Sequence, residues 1–396
     1  MHDPAVKILH LFANWKWTGP AEPALATAWC QSEEHEVRFV SGNSSEGLPS
    51  KIVPHARELG VVTVDGFHMG KHEHWYRNRE DARRLAALLR EFEPDIVHAH
   101  LDNDHRIASL AVRETGIGRL VRTVYDTEGL SNGFRMRRVA RRALAGLIAT
   151  TSAGRSGSRD SYQGSENSIS VAGTPRPMVL IETGVDLRRF DRTRFDRDTQ
   201  RDRLGLAPGD VAIGIVARVQ PHRRFDLLID AFEPVARAHP ELKLVVVGRG
   251  TLIETLLIEP VRRRGLSESV LTTGYLSGDD YPGALAALDA TLFLVPGSDG
   301  TCRALREQMA MGLAPLVTPR TPLPEIVEEG TAGIVVQETV EALGRGLQRL
   351  VTEPGLRERL GRGAAEAAQR RFDVRRQSCL VTEFYARILQ DARAAH

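Results

Sequence analysis

Lysine is nearly missing from this 396-residue chain: Lys7, Lys16, Lys51, Lys71 and Lys243 stand alone, and every other basic residue counted is arginine. Arginine's planar fork suits bidentate phosphate contacts, although base composition alone can also enrich it. Cysteine is equally sparse. Cys30, Cys302 and Cys379 are scattered, odd in number and without metal-ligand spacing, which argues against a disulfide framework and for reduced thiols in a cytoplasmic protein. An excess of either charge is also lacking, with 53 basic against 51 acidic residues, so nothing global advertises a nucleic-acid partner and any anion site must be local. No apolar run approaches the ~18 residues that span a bilayer, and Met1 to Pro4 lacks the basic, then apolar, start of an export signal. No internal repeat is visible. What is present, 42% hydrophobic residues over this length, can fill a sizeable core in two domains.

The most informative stretch is Pro296 to Val317. Ahead of it, Asp289 to Val295 is a short apolar run of strand formers, and Pro296, Gly297 and Gly300 then break the chain. From about Thr301 the apolar residues Ala304, Leu305, Met309 and Ala310 recur at helical steps, until Gly312 and Pro315 stop the helix. A strand, a glycine turn and a helix in this order point the amides of Gly300, Thr301, Cys302 and Arg303 at an anion above the strand end. Asp299 would line the mouth, with Glu307 about two turns into the helix. Two carboxylates beside a phosphate cradle suit recognition of sugar or ribose hydroxyls. The plainer alternative is a solvated acid before an ordinary first turn.

The chain before this stretch alternates strands and helices. Val6 to Phe12 reads as a buried strand, and Asn14 to Pro20 as a loop, with Gly19 placed for close backbone approach to a phosphate or for a simple turn. Trp15 and Trp17 in that loop could stack on sugar rings or pack back on the core. Further strands are expected at 36–40 and 60–64, and a helix at Arg79 to Phe92. Pro94 to His100 is a strand ending in His98 and His100, followed by Asp102, Asp104 and His105. These could ligate a metal, with Asp102 to Asp104 mimicking an acidic triplet, or be polar groups at the edge of a cleft; the second reading is preferred because no second acidic cluster converges on them. Arg119 to Tyr125 is the next strand. The basic segment Phe134 to Leu144 separates arginines from apolar residues at helical spacing, so it could rest on an anionic membrane, grip a phosphorylated acceptor, or be a solvated face. Leu147 to Thr151 resumes strand character, and Gly154 to Pro177, rich in Ser, Gly and Pro, reads as a linker near a domain boundary.

A second alternation follows, with strands at 211–216, 242–247 and 270–273 and helices at 225–238 and 252–263, so a second parallel α/β unit is expected. Gly248-Arg249-Gly250 follows a strand, but Ile253 stands where a dinucleotide fingerprint needs glycine, which argues against nicotinamide or flavin. Arg218 and Arg223, with Arg224 beside them, lie just past the strand at 211–216 and could clamp phosphates. A closing helix carries Leu380, Phe384, Tyr385, Ile388 and Leu389 on one side.

Taken in order, the Gly19 loop, His98-Ala99-His100, Leu180 to Phe190, the Arg218/Arg223 pair, Val247 to Gly250, Gly274 to Leu276, and Asp299 to Glu307 running on to Gly312 resemble glycosyltransferase family 4 along most of the chain. The resemblance implies an α/β protein with two Rossmann-like domains facing across a cleft (the GT-B fold). Residues 1–177 would form the acceptor side, 178–373 the nucleotide-sugar side, and 374–396 a helix returning to the first domain. It implies that Glu307 binds the donor's ribose and Asp299 its sugar. Arg218 and Arg223 would hold the diphosphate with Gly19 and the amides of Gly300 to Arg303, and Leu276 would sit beside the base. Trp15, Trp17, His100, Asp104 and Tyr125 fall on the acceptor side.

The implied function is metal-independent, retaining transfer of a hexose or pentose from a nucleotide-diphosphate sugar to a hydroxyl acceptor, without a cofactor. A nucleotide-sugar epimerase and a non-catalytic nucleotide-sugar binder are the alternatives. The chain departs from the family at three places. Asp299 stands for the usual glutamate. Arg223-Arg224 stands for the usual lysine and glycine. Tyr125 stands where relatives often carry a histidine that touches the donor sugar.

Overall fold

The structure is a computed structural model that describes residues 5–44, 48–131, 133–163, 165–171, 173–297 and 302–394, with the side chains at 135, 137, 140–142 and 161 outside the described set. The expectations placed on Asp299, Gly300 and Thr301 therefore fall outside the described residues. The chain forms two compact units: residues up to Gly184 together with Val374 onward, and Val185–Gly297 with Cys302–Asp373.

The first unit is built on eight strands: β1 (Lys7–Phe12), β2 (Glu36–Ser41), β3 (Val62–Val64), β4 (Ile96–Ala99), β5 (Arg119–Val124), β6 (Leu144–Ala149), β7 (Ser168–Val171) and β8 (Thr174–Leu180). They lie in the order β3-β2-β1-β4-β5-β6-β8-β7, parallel except for the antiparallel pair β7/β8. Runs such as Ile8 to Phe12 and Ile96 to Ala99 are buried on both strand faces, the pattern of a parallel sheet covered by helices on each side. One face packs against the helices Trp75–Phe92 and Asp102–Thr115. The other packs against Ala21–Gln31 and the last helix, Val374–Ala394, whose Val381, Phe384, Tyr385 and Ile388 join Ile8, Phe12, Val121 and Ile148 in one cluster. Gly146 lets that helix approach, since a Cβ there would lie 2.5 Å from Ile388 Cδ1 and 2.9 Å from Phe384 Cζ. Burying each of the large side chains Phe384 and Ile388 contributes about 1.5–3 kcal/mol.

Residues 154–177 are not a linker. Ser152–Ser161 is a helix, started by Thr151 Oγ1 accepting from the Gly154 amide at 2.9 Å, and β7/β8 is a hairpin at the sheet edge. The glycines misled because they serve close packing rather than freedom. A Cβ on Gly154 would lie 2.4 Å from the Asp126 carbonyl oxygen, and one on Gly157 2.1 Å from that of Glu128.

The second unit holds β9 (Val211–Val216), β10 (Leu242–Val247), β11 (Val270–Gly274), β12 (Ala290–Phe293), β13 (Ala314–Val317) and β14 (Ile334–Val335), all parallel, in the order β11-β10-β9-β12-β13-β14. Its ends are tied together where the Val185 amide donates to the Phe372 carbonyl at 2.6 Å. Each sheet thus changes winding direction at one place, between β1 and β4 in the first unit and between β9 and β12 in the second. In open α/β sheets ligands bind outside the carboxyl ends of strands at such points.

Candidate functional site

At the switch point of the second sheet, the chain leaving β9 stays paired with the chain leaving β10. Ala217 N donates to Val247 O at 3.1 Å and Val219 N to Arg249 O at 3.2 Å. The Gly-x-Gly here exists for this pairing, because a Cβ on Gly248 or Gly250 would come 2.1 Å from the carbonyl oxygen of Ala217 or Val219. Arg218 is thereby held on an extended segment with its side chain exposed, and it has no hydrogen-bond or ion-pair partner among the described residues. The chain then turns at Pro221–Arg223, and Arg223 Nη1 donates to the carbonyls of Val295 and Pro296 at 2.8 and 3.1 Å. One cation of the expected pair therefore braces the segment that follows β12, and the other stands in solvent.

Arg224 adopts φ 58°, the left-handed region that favours glycine, and caps the helix Phe225–Ala238. Its guanidinium pairs with Glu338, which also receives Arg320 Nε at 2.6 Å; the hydrogen bonds from Arg320 lead in holding the Glu338 carboxyl below the usual range.

Glu307 lies on the helix Arg303–Ala310, whose cap Cys302 is buried in a left-handed conformation (φ 45°). Only 2% of Glu307 is exposed. Its Oε2 accepts from the Tyr281 hydroxyl at 2.7 Å, and its Oε1 meets Arg303 Nε at 3.1 Å, one helical turn away. These contacts hold the acid in place. Leu276 is half-buried in the core beside β11, and next to it the exposed Tyr275 carries the Arg249 guanidinium 5.0 Å above its ring. Tyr281 was not legible as a site residue, since it sits in the short helix Asp280–Ala286 with no motif spacing to Glu307.

In the first unit the sequence candidates around β4 are taken into the interior. His98, His100, Asp104 and His105 are each 0–1% exposed. The side chains of the triplet are engaged by protein partners. Asp102 pairs with Arg122 at 3.1 Å, Asn103 bonds Asn78 and the Gly70 carbonyl, and Asp104 accepts from the amides of Ala13 and Leu101 at 2.8–3.0 Å. Asp104 thus fastens the β1 loop to the start of a helix, and burial pushes its carboxyl up to about 7. His105 has no partner for either ring nitrogen among the described residues, and burial lowers it to about 3.

His98 and His100 join His10 of β1 in a buried group whose nitrogens lie within 4.8 Å of one another. His10 bonds His100 at 3.0 Å and Gln31 at 2.8 Å; His98 bonds Thr123 at 2.7 Å and Tyr385 at 2.5 Å; His100 bonds Tyr125 at 2.7 Å. All six ring nitrogens are engaged at 3.0 Å or less by protein groups, so the cluster is a closed hydrogen-bonded set as it stands. Burial lowers all three histidines, His10 to about 4, which keeps them neutral. Gly19, Trp15 and Trp17 lie half-buried in the loop after β1; Trp17 packs on the core with its ring 4.2 Å from that of His55, and Lys16 lies over Trp15 at 5.2 Å.

Two family profiles match the chain, "Glycosyltransferase Family 4" over residues 24–189 and "Glycosyl transferases group 1" over residues 196–367. The chain belongs to glycosyltransferase family 4. It is 32% identical over 208 residues to a D-inositol 3-phosphate glycosyltransferase of Salinispora arenicola, covering 49% of this chain and 46% of that one. It is 30% identical over 195 residues to a GDP-mannose-dependent alpha-(1-6)-phosphatidylinositol monomannoside mannosyltransferase of Mycolicibacterium smegmatis, covering 47% and 50%. The chain spans about half the length of the curated relatives it matches. Among solved structures, a glycosyltransferase from Rickettsia africae superposes with TM-score 0.81 at 15% identity, over 98% of this chain and 99% of that one. Anabaena Alr3699/HepE in complex with UDP superposes with TM-score 0.77 at 18% identity, over 96% and 99%. The fold is that of the GT-B glycosyltransferases.

Proposed function

We propose that this chain is a metal-independent, retaining glycosyltransferase that moves a sugar from a nucleotide-diphosphate donor to a hydroxyl acceptor. The observation that carries the reading is the set of groups at the β9/β12 switch point. An Arg218 without a partner among the described residues, an Arg223 turned toward the segment after β12, and a buried Glu307 with both oxygens engaged together suit a diphosphate next to a ribose. Sugar transfer needs negative charge on the leaving diphosphate to be stabilised as the sugar carbon becomes oxocarbenium-like. Fixed guanidinium groups can do this. The acceptor hydroxyl would approach on the leaving group's face, with a phosphate oxygen as base, and configuration would be kept.

The relatives named above are transferases, one of them GDP-mannose-dependent, and the Anabaena structure holds UDP; this favours transfer over epimerisation and a nucleotide-diphosphate hexose as donor. Among the described residues no helix is long and apolar enough to cross a membrane. The helix Phe134–Ala143, with Met136 buried and Phe134 81% exposed, is the segment we assign to peripheral contact with an anionic surface; the side chains of Arg135, Arg137, Arg141 and Arg142 lie outside the described residues. The test is a panel of GDP- and UDP-sugars scored by protection from thermal unfolding, then by nucleotide release with polyol and glycolipid acceptors. Protection by none of them would overturn the reading.

A further inference from the structure

Trp75 and Tyr76, the first two residues of the helix Trp75–Phe92, stand 71% and 63% exposed, yet the chain around them is firmly held. The buried Asp81 carboxylate accepts from the amides of His68 and Met69 at 2.9 and 2.8 Å, Asn103 Nδ2 donates to the Gly70 carbonyl at 2.8 Å, and Arg106 pairs with Glu73. Large rings gain by leaving water, and this clamp displays two of them to it instead. They meet edge to face, with centroids 5.9 Å apart and planes at 81°. Such a pair offers no flat platform for a sugar ring. It does suit the headgroup layer of a bilayer, where Trp and Tyr sit with one side apolar and the other wet.

The topology puts a third exposed ring at the same end. The helices Trp75–Phe92 and Phe134–Ala143 follow β3 and β5, two strands of one parallel array, so both begin at its carboxyl rim. Both also pack on the helix Asp102–Thr115, where Asn78 bonds Asn103 at 2.7 Å and Ser109 Oγ donates to the Val139 carbonyl at 3.0 Å. Phe134 therefore shares a rim and a sheet face with Trp75 and Tyr76. Exposed cations accompany the rings, Lys71 and Arg79 beside the pair and Arg138 one turn after Phe134, while the acids Glu73 and Glu80 are paired with Arg106 and Arg84. Rings among uncompensated cations match a surface that is apolar below and negative above.

We propose that Trp75 and Tyr76 anchor the first unit in the headgroup layer of an anionic bilayer. The inference rests on the surface contact assigned above to Phe134–Ala143 and deepens it, by adding an anchor from a different part of the chain and by naming the partner as lipid of net negative headgroup. The rings supply the part of the affinity that salt does not screen, and the cations the part that it does.

The test sediments the full chain with phosphatidylcholine vesicles, with and without phosphatidylglycerol, and with no donor present. The wild type is expected to bind the anionic vesicles. A Trp75→Ala/Tyr76→Ala double variant is expected to bind them at least about tenfold more weakly and to keep its unfolding midpoint, since both side chains are exposed. Trp75 fluorescence, taken as the difference from Trp75→Phe, is expected to be quenched by brominated lipid. Equal binding by the double variant, no binding by the wild type, or an unquenched Trp75 would overturn the anchor. So would a dimer formed without vesicles and abolished in the double variant, which would make the pair a contact between copies. Loss of binding in Phe134→Ser with none in the double variant would leave the earlier contact standing without this one. A chain that binds vesicles through the pair yet binds no nucleotide sugar would sink the transfer reading and uphold the anchor.

Discussion

The Tyr281 hydroxyl donates to Glu307 Oε2 at 2.7 Å, joining two helices of the second unit through a carboxylate that water scarcely reaches. A hydrogen bond to a buried charged group contributes about 1.5–3 kcal/mol. Tyr281→Phe should therefore destabilise the second unit by about that amount in urea unfolding and weaken nucleotide-sugar binding, because Glu307 loses the hydroxyl that holds its Oε2. A variant with unaltered affinity would show that the bond does not place the acid for its ligand.

Arg218 and Arg223 should separate cleanly when truncated. Arg218 is exposed and unpartnered among the described residues, so Arg218→Ala should leave stability within about 0.5 kcal/mol yet slow transfer by about 3–4 kcal/mol of transition-state energy. Arg223→Ala should lose both, since Arg223 also braces the carbonyls of Val295 and Pro296. Near-normal turnover in Arg218→Ala would refute the phosphate role.

Acid should unfold the first unit early. His10, His98, His100 and His105 all have folded-state pKa values below the ordinary 6.5, so their contribution is present above that value and is lost as pH falls, toward about 4 for His10 and about 3 for His105. For His10 alone this is on the order of 3 kcal/mol. Asp104, raised to about 7, works oppositely: its contribution is complete below 3.8 and is lost as pH rises through 7. Four groups outweigh one between pH 6.5 and 4. Urea midpoints should therefore drop over that window, and His105→Leu, which removes two unpartnered nitrogens, should flatten the drop.

Arg224 occupies a left-handed position at φ 58°, and its ion pair with Glu338 offsets part of the strain. Arg224→Ala loses the pair and keeps the strain, whereas Arg224→Gly loses the pair and relieves it. The alanine variant should be less stable than the glycine variant by about 1 kcal/mol, read by thermal unfolding. Equal stabilities would show that the turn is not strained.

The alternation of strands and helices was legible because parallel strands here are continuous apolar runs. The stretches at 211–216 and 242–247 and the helix Phe225–Ala238 appear where the sequence pattern puts them. Two features were not. Gly154 and Gly157 looked like freedom but are contacts, since a sequence shows a missing Cβ and not the carbonyl that needs its space. The hydrogen-bonded set of His98 and His100 was hidden because its other members, His10, Gln31, Thr123, Tyr125 and Tyr385, come from distant strands and helices. Spacing along one segment carries no trace of such pairing. Tyr281 was missed for the same reason, while Glu307 stood out through its place after a glycine turn.

The helix Val374–Ala394 supplies Tyr385 to His98, Thr382 to Gln31 and Arg375 to Glu33, all within the first unit. On the ribosome, then, the strands made first wait for their last partner until the whole second unit has emerged. Chaperone engagement or aggregation of this protein should be greatest while the nascent chain stops short of Val374, and release should coincide with the arrival of that helix.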